Sequence, residues 1–312
     1  MAKKHDIIWM KSVDSTNNEA KRRISDIDNL SVLSALEQTA GRGQRGNTWT
    51  SDAGANLMFS IVLKSPSLIV EDHFILNEIA ALSVADFLST YGIKAEIKWP
   101  NDIYVHEKKI CVILIENSFH RKSISYSIIG IGLNINQRNF DVNLPNPTSM
   151  VLCRPTPCCN SVSSQSHSAP FICHSERSED TDEVAAASAK ESFDIKTCLN
   201  GFMDIFTTYH DRFLTSACDL SPLRRLYLDS LWRLGKPSRF IDYTTLPAGH
   251  CDGPMNICTE KVSDTGILSS NQYGNEFPGI IRGLSPTGNL LVEDLSTGLT
   301  REFGVKEIGY IL

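Results

Sequence analysis

Lys98-Trp99-Pro100-Asn101-Asp102, followed by Lys108-Lys109-Ile110-Cys111-Val112-Ile113-Leu114-Ile115-Glu116-Asn117, is the stretch on which the reading of this chain turns. Residues 94–99 read as a strand, and Pro100 stops it, because proline lacks the N–H that a ladder needs. The Pro-Asn-Asp corner then aims a carboxylate and an amide off the sheet edge, where a ligand could meet them. Lys108 and Lys109 open a second, strongly apolar strand at 110–117. Lys108 reads as a solvated hairpin residue. Lys109 stands at the mouth of a dry strand, where a cation can neutralise a phosphate group. Further on, Ile129-Gly130-Ile131-Gly132-Leu133-Asn134-Ile135-Asn136 is an apolar strand whose two glycines leave room for a ligand close to the backbone, or simply mark a bulged core strand.

Upstream, Gly41-Arg42-Gly43-Gln44-Arg45-Gly46 spells G-x-G-x-x-G. A dinucleotide fingerprint needs a helix opening at its third glycine, so that the pyrophosphate meets the helix N-terminus. Here Asn47-Thr48-Trp49-Thr50-Ser51-Asp52 follows, with no helical apolar period, and that reading fails on context. No Gly-Lys-Ser/Thr follows either, which excludes a Walker A loop. What remains is a glycine loop with two arginines, suited to phosphate or carboxylate. Alone, it is as compatible with an exposed basic turn.

The surrounding pattern alternates strands and helices. Strands are expected at 6–10, 31–38, 56–64 and 124–135, and helices over 71–90, 193–214 and 223–232. A further helix should start near Asp14-Ser15-Thr16-Asn17-Asn18-Glu19, with Thr16 and Glu19 at capping-box spacing. From about residue 235 the character changes to short β-like runs, at 277–284, 289–294 and 300–303, separated by Pro-Thr-Gly and Ser-Thr-Gly turns. The expected architecture is therefore α+β: a mixed sheet flanked by helices over 1–234, and a small β-barrel-like domain over 235–312. Residues 153–190 hold eight serines, four cysteines and three prolines, too little apolar surface to offset chain entropy. Residues 243–276 are a milder case, and both read as surface insertions.

The formal charge of −6 and a hydrophobic share of 41% over 312 residues fit an ordinary globular protein and argue against a nucleic-acid surface. No apolar run reaches membrane-span length and the start lacks a signal h-region, so a cytoplasmic location without membrane partners is expected. Nine cysteines with no C-x-x-C pair argue against a structural metal site built with His167 and His174.

Taken in order, Asp14 to Asn17, Glu37-Gln38-Thr39, Gly41 to Trp49, Lys98 to Asp102, Lys109 to Glu116, Gly130 to Asn134 and Asn146-Pro147-Thr148-Ser149 resemble the biotin protein ligase family. The likeness runs almost continuously through 6–152, resumes near 193–234 and is weaker beyond. It implies a catalytic domain like that of class II aminoacyl-tRNA synthetases, followed by an SH3-like barrel. It also implies conversion of biotin and ATP, with Mg²⁺, to biotinyl-5′-AMP, and transfer of biotin to one lysine of a biotin carboxyl carrier protein. Ser15, Thr16, Asn17, Gln38 and Gly130 would then line the biotin site, with Arg42, Gly43 and Gln44 on the loop that orders over it. Lys109 would meet the biotin carboxylate and the α-phosphate. Asp102 would orient Mg²⁺ or take the acceptor lysine's proton, and Trp49 and Asn134, with Arg42 and Lys109, would hold the adenylate. Two positions depart from the family pattern. Gln44 stands where arginine is usual, and Val112 stands where Lys-x-x-Gly has glycine, so that its side chain would crowd a ligand.

The alternatives are a lipoate or octanoate ligase, a catalytically impaired biotin-binding homologue, and a biotin-sensing repressor. The last is disfavoured by net acidity and by a start directly at the first catalytic strand. A monomer and a homodimer are both compatible with the sequence.

Overall fold

The computed structural model of the chain describes residues 5–44, 48–66, 68–154, 192–215, 219–244 and 274–311. Most of both proposed insertions, Arg45 beside Gln44, and His167 and His174 lie outside them. Seven strands form one mixed sheet: β1 (Ile7–Met10), β2 (Val32–Ala35), β3 (Leu57–Lys64), β4 (Glu96–Lys98), β5 (Asp102–Val105), β6 (Lys108–His120) and β7 (Ser123–Leu133). Their order is β1-β2-β3-β7-β6-β5-β4, with β1 and β2 parallel and the other pairs antiparallel.

Both faces of this sheet are covered, which is why β3 is buried along nearly its whole length instead of alternating with water. Phe59, Ile61 and Leu63 point to the larger core. There α2 (Ile75–Ser89) and α4 (Ile195–Phe213) pack through edge-on contacts of Phe202 with Phe59 at 5.2 Å and with Phe87 at 6.2 Å. On the opposite face α1 (Thr16–Arg22) seals a smaller cluster of Ala20, Ile27, Leu33, Val62 and Ile128. A short helix, α3 (Met150–Cys153), precedes the undescribed segment, and α5 (Ser221–Asp229) follows α4.

The last strands, β8 (Pro237–Asp242), β9 (Asn275–Leu284), β10 (Leu290–Asp294), β11 (Thr300–Phe303) and β12 (Ile308–Ile311), make a second, all-antiparallel sheet in the order β11-β10-β9-β8-β12. Its core is aromatic: Phe240, Phe277 and Phe303 stack at 5.7 and 5.8 Å. The two sheets meet at the β9–β10 turn. There Gly288, at φ 89°, fits against the Phe74 ring and its carbonyl accepts from Trp99 Nε1 at 2.9 Å. Among the described residues no helix is long and apolar enough to cross a membrane.

Candidate functional site

The site lies on the α1 face of the mixed sheet, where the strand registers align one row of side chains. Lys98, Asp102, Val112, Gly132, Met58 and Ala35 are successive Cα partners from β4 across to β2. The neighbouring row holds Leu114, Gly130, Ser60 and Leu33. A cleft of about 310 Å³ opens between these rows, the start of α1 and the glycine loop. Its polar lining comes from Ser15, Thr16, Asn17, Gln38 and Arg42, and its apolar lining from Trp49, Val112, Leu114 and Ile131.

The start of α1 corrects one expectation. Thr16 and Glu19 form no capping box; Ser15 is the N-cap, and its side chain caps nothing. Thr16 instead turns to Gln38, whose Oε1 accepts from the Thr16 N–H at 2.7 Å and lies 3.2 Å from its hydroxyl. Glu19 pairs with Arg22 and Arg23. The helix start is thus stitched to the segment after β2 rather than to itself, which leaves Ser15, Thr16 and Asn17 buried at the cleft.

Ser60 and Glu116 complete the polar group, and sequence reasoning assigned neither. The Ser60 hydroxyl lies 2.8 Å from Thr16 Oγ1 and 2.6 Å from Asn17 Oδ1. Asn17 Nδ2 donates to the Leu114 carbonyl at 3.2 Å and to Glu116 Oε2 at 3.0 Å. Glu116 also accepts from Arg42 at 3.0 Å and from Lys21 at 3.3 Å. One carboxylate therefore ties α1, β6 and the glycine loop together. The available signals were a lone serine inside the apolar run Leu57–Leu63 and a glutamate ending the run Ile110–Ile115.

The two β7 glycines do leave room, but for side chains of the chain itself. A Cβ on Gly130 would sit 2.2 Å from Asn17 Oδ1, and one on Gly132 would sit 2.6 Å from the Trp49 ring. Trp49 thereby packs against β7 at Gly132. Its buried Nε1 has no hydrogen-bond partner, an N–H free for a ligand acceptor. The base of the loop is closed by Trp49 N–H donating to the Gly41 carbonyl at 3.0 Å. Gly43 and Gln44 sit on the half-buried loop outside the cleft lining.

Beyond Val112 the corner behaves differently from its sequence reading. Asn101 is buried, its amide donates to the Ile113 carbonyl at 3.0 Å, and its own carbonyl accepts from Ile113 N–H; it pins the turn rather than offering an amide to a ligand. Asp102 keeps its carboxylate on the cleft face and pairs with Lys109 Nζ at 2.7 Å. A register shift where β5 meets β6 re-aims Lys109. Its backbone is bracketed by Asn146 O at 2.8 Å and Thr148 N at 2.9 Å. Asn134, outside the cleft lining, holds that bracket, its amide donating to Thr148 O at 2.9 Å. Lys108 is exposed.

Residues 9–134, which contain every element of this cleft except the bracket at 146–148, match the model of the biotin/lipoate A/B protein ligase family. Over that segment, two-fifths of its length, the chain is similar to that family. Its relatives include the bifunctional ligase/repressor BirA of Escherichia coli, 32% identical over 138 residues, which are 43% of this chain and 42% of that protein. The biotin–[acetyl-CoA-carboxylase] ligase of Paracoccus denitrificans is 34% identical over 125 residues, 39% of this chain and 51% of that one. The matched part thus spans about half or less of the curated relatives' length. Among solved structures, the biotin protein ligase of Aquifex aeolicus in complex with biotin and ATP superposes with a TM-score of 0.64, covering 97% of each chain at 22% identity, and shares the fold. Within this biotin/lipoate ligase fold, the cleft and the Lys109–Asp102 pair lie on one sheet face, separated by Val112.

Proposed function

We propose that the chain is an ATP-dependent biotin protein ligase, which activates biotin as biotinyl-5′-AMP and passes it to a lysine of a biotin carboxyl carrier protein. The observation that carries the reading is a polar, buried cleft end and the Lys109–Asp102 ion pair on the same sheet face, with Val112 of the cleft lining beside Asp102. Ser15, Thr16, Asn17, Gln38 and Gly130 enclose a ligand head that both donates and accepts hydrogen bonds, as a ureido ring does. Leu114 and Val112 flank an acyl chain. Lys109 then meets the carboxylate as it attacks the α-phosphate, where negative charge grows and a fixed cation is worth most.

Arg42, Gly43 and Gln44 form the loop that covers the mixed anhydride and keeps water from it until the acceptor arrives. Arg42 leaves Glu116 for the adenylate as the loop closes. Trp49 offers its unpaired indole N–H to the adenylate end, and Asn134 serves that end through Lys109, by holding the Thr148 carbonyl. Asp102 is a single carboxylate. That suits Mg²⁺ carried in on the nucleotide, which takes one or two protein carboxylates beside phosphate oxygens; no cluster of three metal-binding side chains occurs among the described residues. After adenylation Asp102 is the group placed to receive the acceptor lysine's proton.

Val112 favours one second reading, a narrower linear acid such as lipoate or octanoate, because its isopropyl group takes space between the cleft and Lys109. Pyrophosphate release from ATP is the test, measured with biotin, lipoate and octanoate in parallel. Release with biotin alone is expected. Release with lipoate or octanoate only would favour the second reading, and biotin binding without release would make the chain an impaired homologue.

A further inference from the structure

Lys98 and Asp102 are Cα partners across β4 and β5, so their side chains share the cleft face. Lys98 Nζ donates to the Tyr104 hydroxyl at 3.0 Å and lies 4.7 Å from the centroid of that ring. It is also 5.1 Å from the Tyr310 ring and 5.4 Å from the Trp232 ring. Three rings from β5, from the segment after α5 and from β12 thus enclose one ammonium. The file of rings continues inward: Trp232 meets Tyr310 at 5.6 Å, and Tyr310 meets Phe240 at 5.4 Å. The aromatic core of the C-terminal sheet therefore ends on Lys98. Burial pushes that lysine down to about 8, with Asp102 and Glu107 opposing the change and Lys109 and Arg233 adding to it.

Asp102, on the strand between β4 and β6, stands between two cations. Lys109 pairs with it at 2.7 Å from one side, and Lys98 faces it from the other. Lys109 and Asp102 alone sum to zero charge; Lys98 makes the trio +1. Rings stabilise an ammonium through their quadrupoles without neutralising it. The positive charge is therefore kept in place and kept dry.

We infer that Lys98 is a positioning residue for adenylation: caged by Tyr104, Trp232 and Tyr310, it shares the charge of Asp102 and leaves Lys109 net positive charge for the incoming carboxylate and α-phosphate. The C-terminal sheet is by this route part of the site. The inference rests on the biotin-adenylating reading above.

The test is a cycle of Lys98→Met, Asp102→Asn and the double variant, with Lys98→Arg alongside, each confirmed as folded by its thermal melt. Lys98→Met keeps the cage filled and should lower kcat for biotin-dependent pyrophosphate release roughly 10- to 100-fold, with KM for biotin changed less than about threefold. Lys98→Arg should recover most of that rate. In the Asp102→Asn background the same methionine should cost less than about threefold, because the charge that Lys98 shares is gone. A purely structural lysine would give additive losses and no rescue by arginine. With wild-type chain active, a kcat for Lys98→Met within about twofold of wild type, or equal losses in both backgrounds, would each overturn the inference alone. A wild-type chain that releases no pyrophosphate with biotin overturns the functional reading and the inference together.

Discussion

Lys109 and Gly130 carry the account at the scale of single residues. If Lys109 acts on charge that develops during adenylation, Lys109→Ala should slow pyrophosphate release by about 10²- to 10³-fold while biotin affinity changes far less. Rapid-quench kinetics beside biotin titration calorimetry separates the two, and equal losses in both would contradict the role. Gly130 is constrained by its neighbour, since any Cβ there meets Asn17 Oδ1 at 2.2 Å. Gly130→Ala should displace the Asn17 amide from Ser60 and Glu116 and weaken biotin binding by roughly 10- to 100-fold, the worth of one or two buried hydrogen bonds. Its denaturation midpoint should move little by comparison, and calorimetry with and without biotin would show the opposite if Gly130 were only a core position. Lys109 and Asp102, which the structure pairs, stood out in the sequence as charges beside apolar runs, whereas the glycine loop taken alone read equally well as a basic turn. Ser60 and Glu116 did not stand out, because their partners are 43 and 99 residues away in the chain and only the sheet register brings them together.

At the scale of elements, periodicity located most of the fold. The expected helix at 193–214 is α4 at Ile195–Phe213, and the run at 300–303 is β11 residue for residue. Local capping rules failed where tertiary bonding outcompeted them. Thr16 and Glu19 had the spacing of a capping box, yet the Thr16 N–H is satisfied by Gln38, 22 residues away. The same exchange explains the Asn101 turn, whose amide was expected outward and is bound to β6 instead. It makes the helix start dependent on Gln38. Gln38→Ala should destabilise the chain by about 1–2 kcal/mol in urea denaturation, by leaving that donor unpaired, and should also loosen biotin binding. A variant as stable as wild type would show that water takes the glutamine's place.

At the scale of the whole molecule, the helical face of the mixed sheet and the C-terminal sheet enclose a cavity lined by Glu78, Arg224, Leu228, Leu284, Ser285 and Pro286. Glu78 is 4% exposed and its Oε2 has no partner. Desolvation pushes its carboxyl up from 4.5 to about 7, with Arg224 opposing. Below pH 4.5 the group is protonated in folded and unfolded chains alike. As the pH rises toward about 7 the unfolded chain ionises first, so the wild type should lose roughly 3 kcal/mol across that window. Glu78→Gln should remove that loss, and denaturant midpoints for both proteins at pH 4 and pH 8 would reveal it; parallel pH profiles would refute it.

Transfer of biotin to a carrier is the activity on which everything above depends. A biotin carboxyl carrier domain incubated with the chain, biotin and MgATP should gain the mass of one biotinyl group on one lysine, only when all components are present, and not with lipoate in place of biotin. An unchanged carrier mass, or modification by lipoate alone, would contradict it.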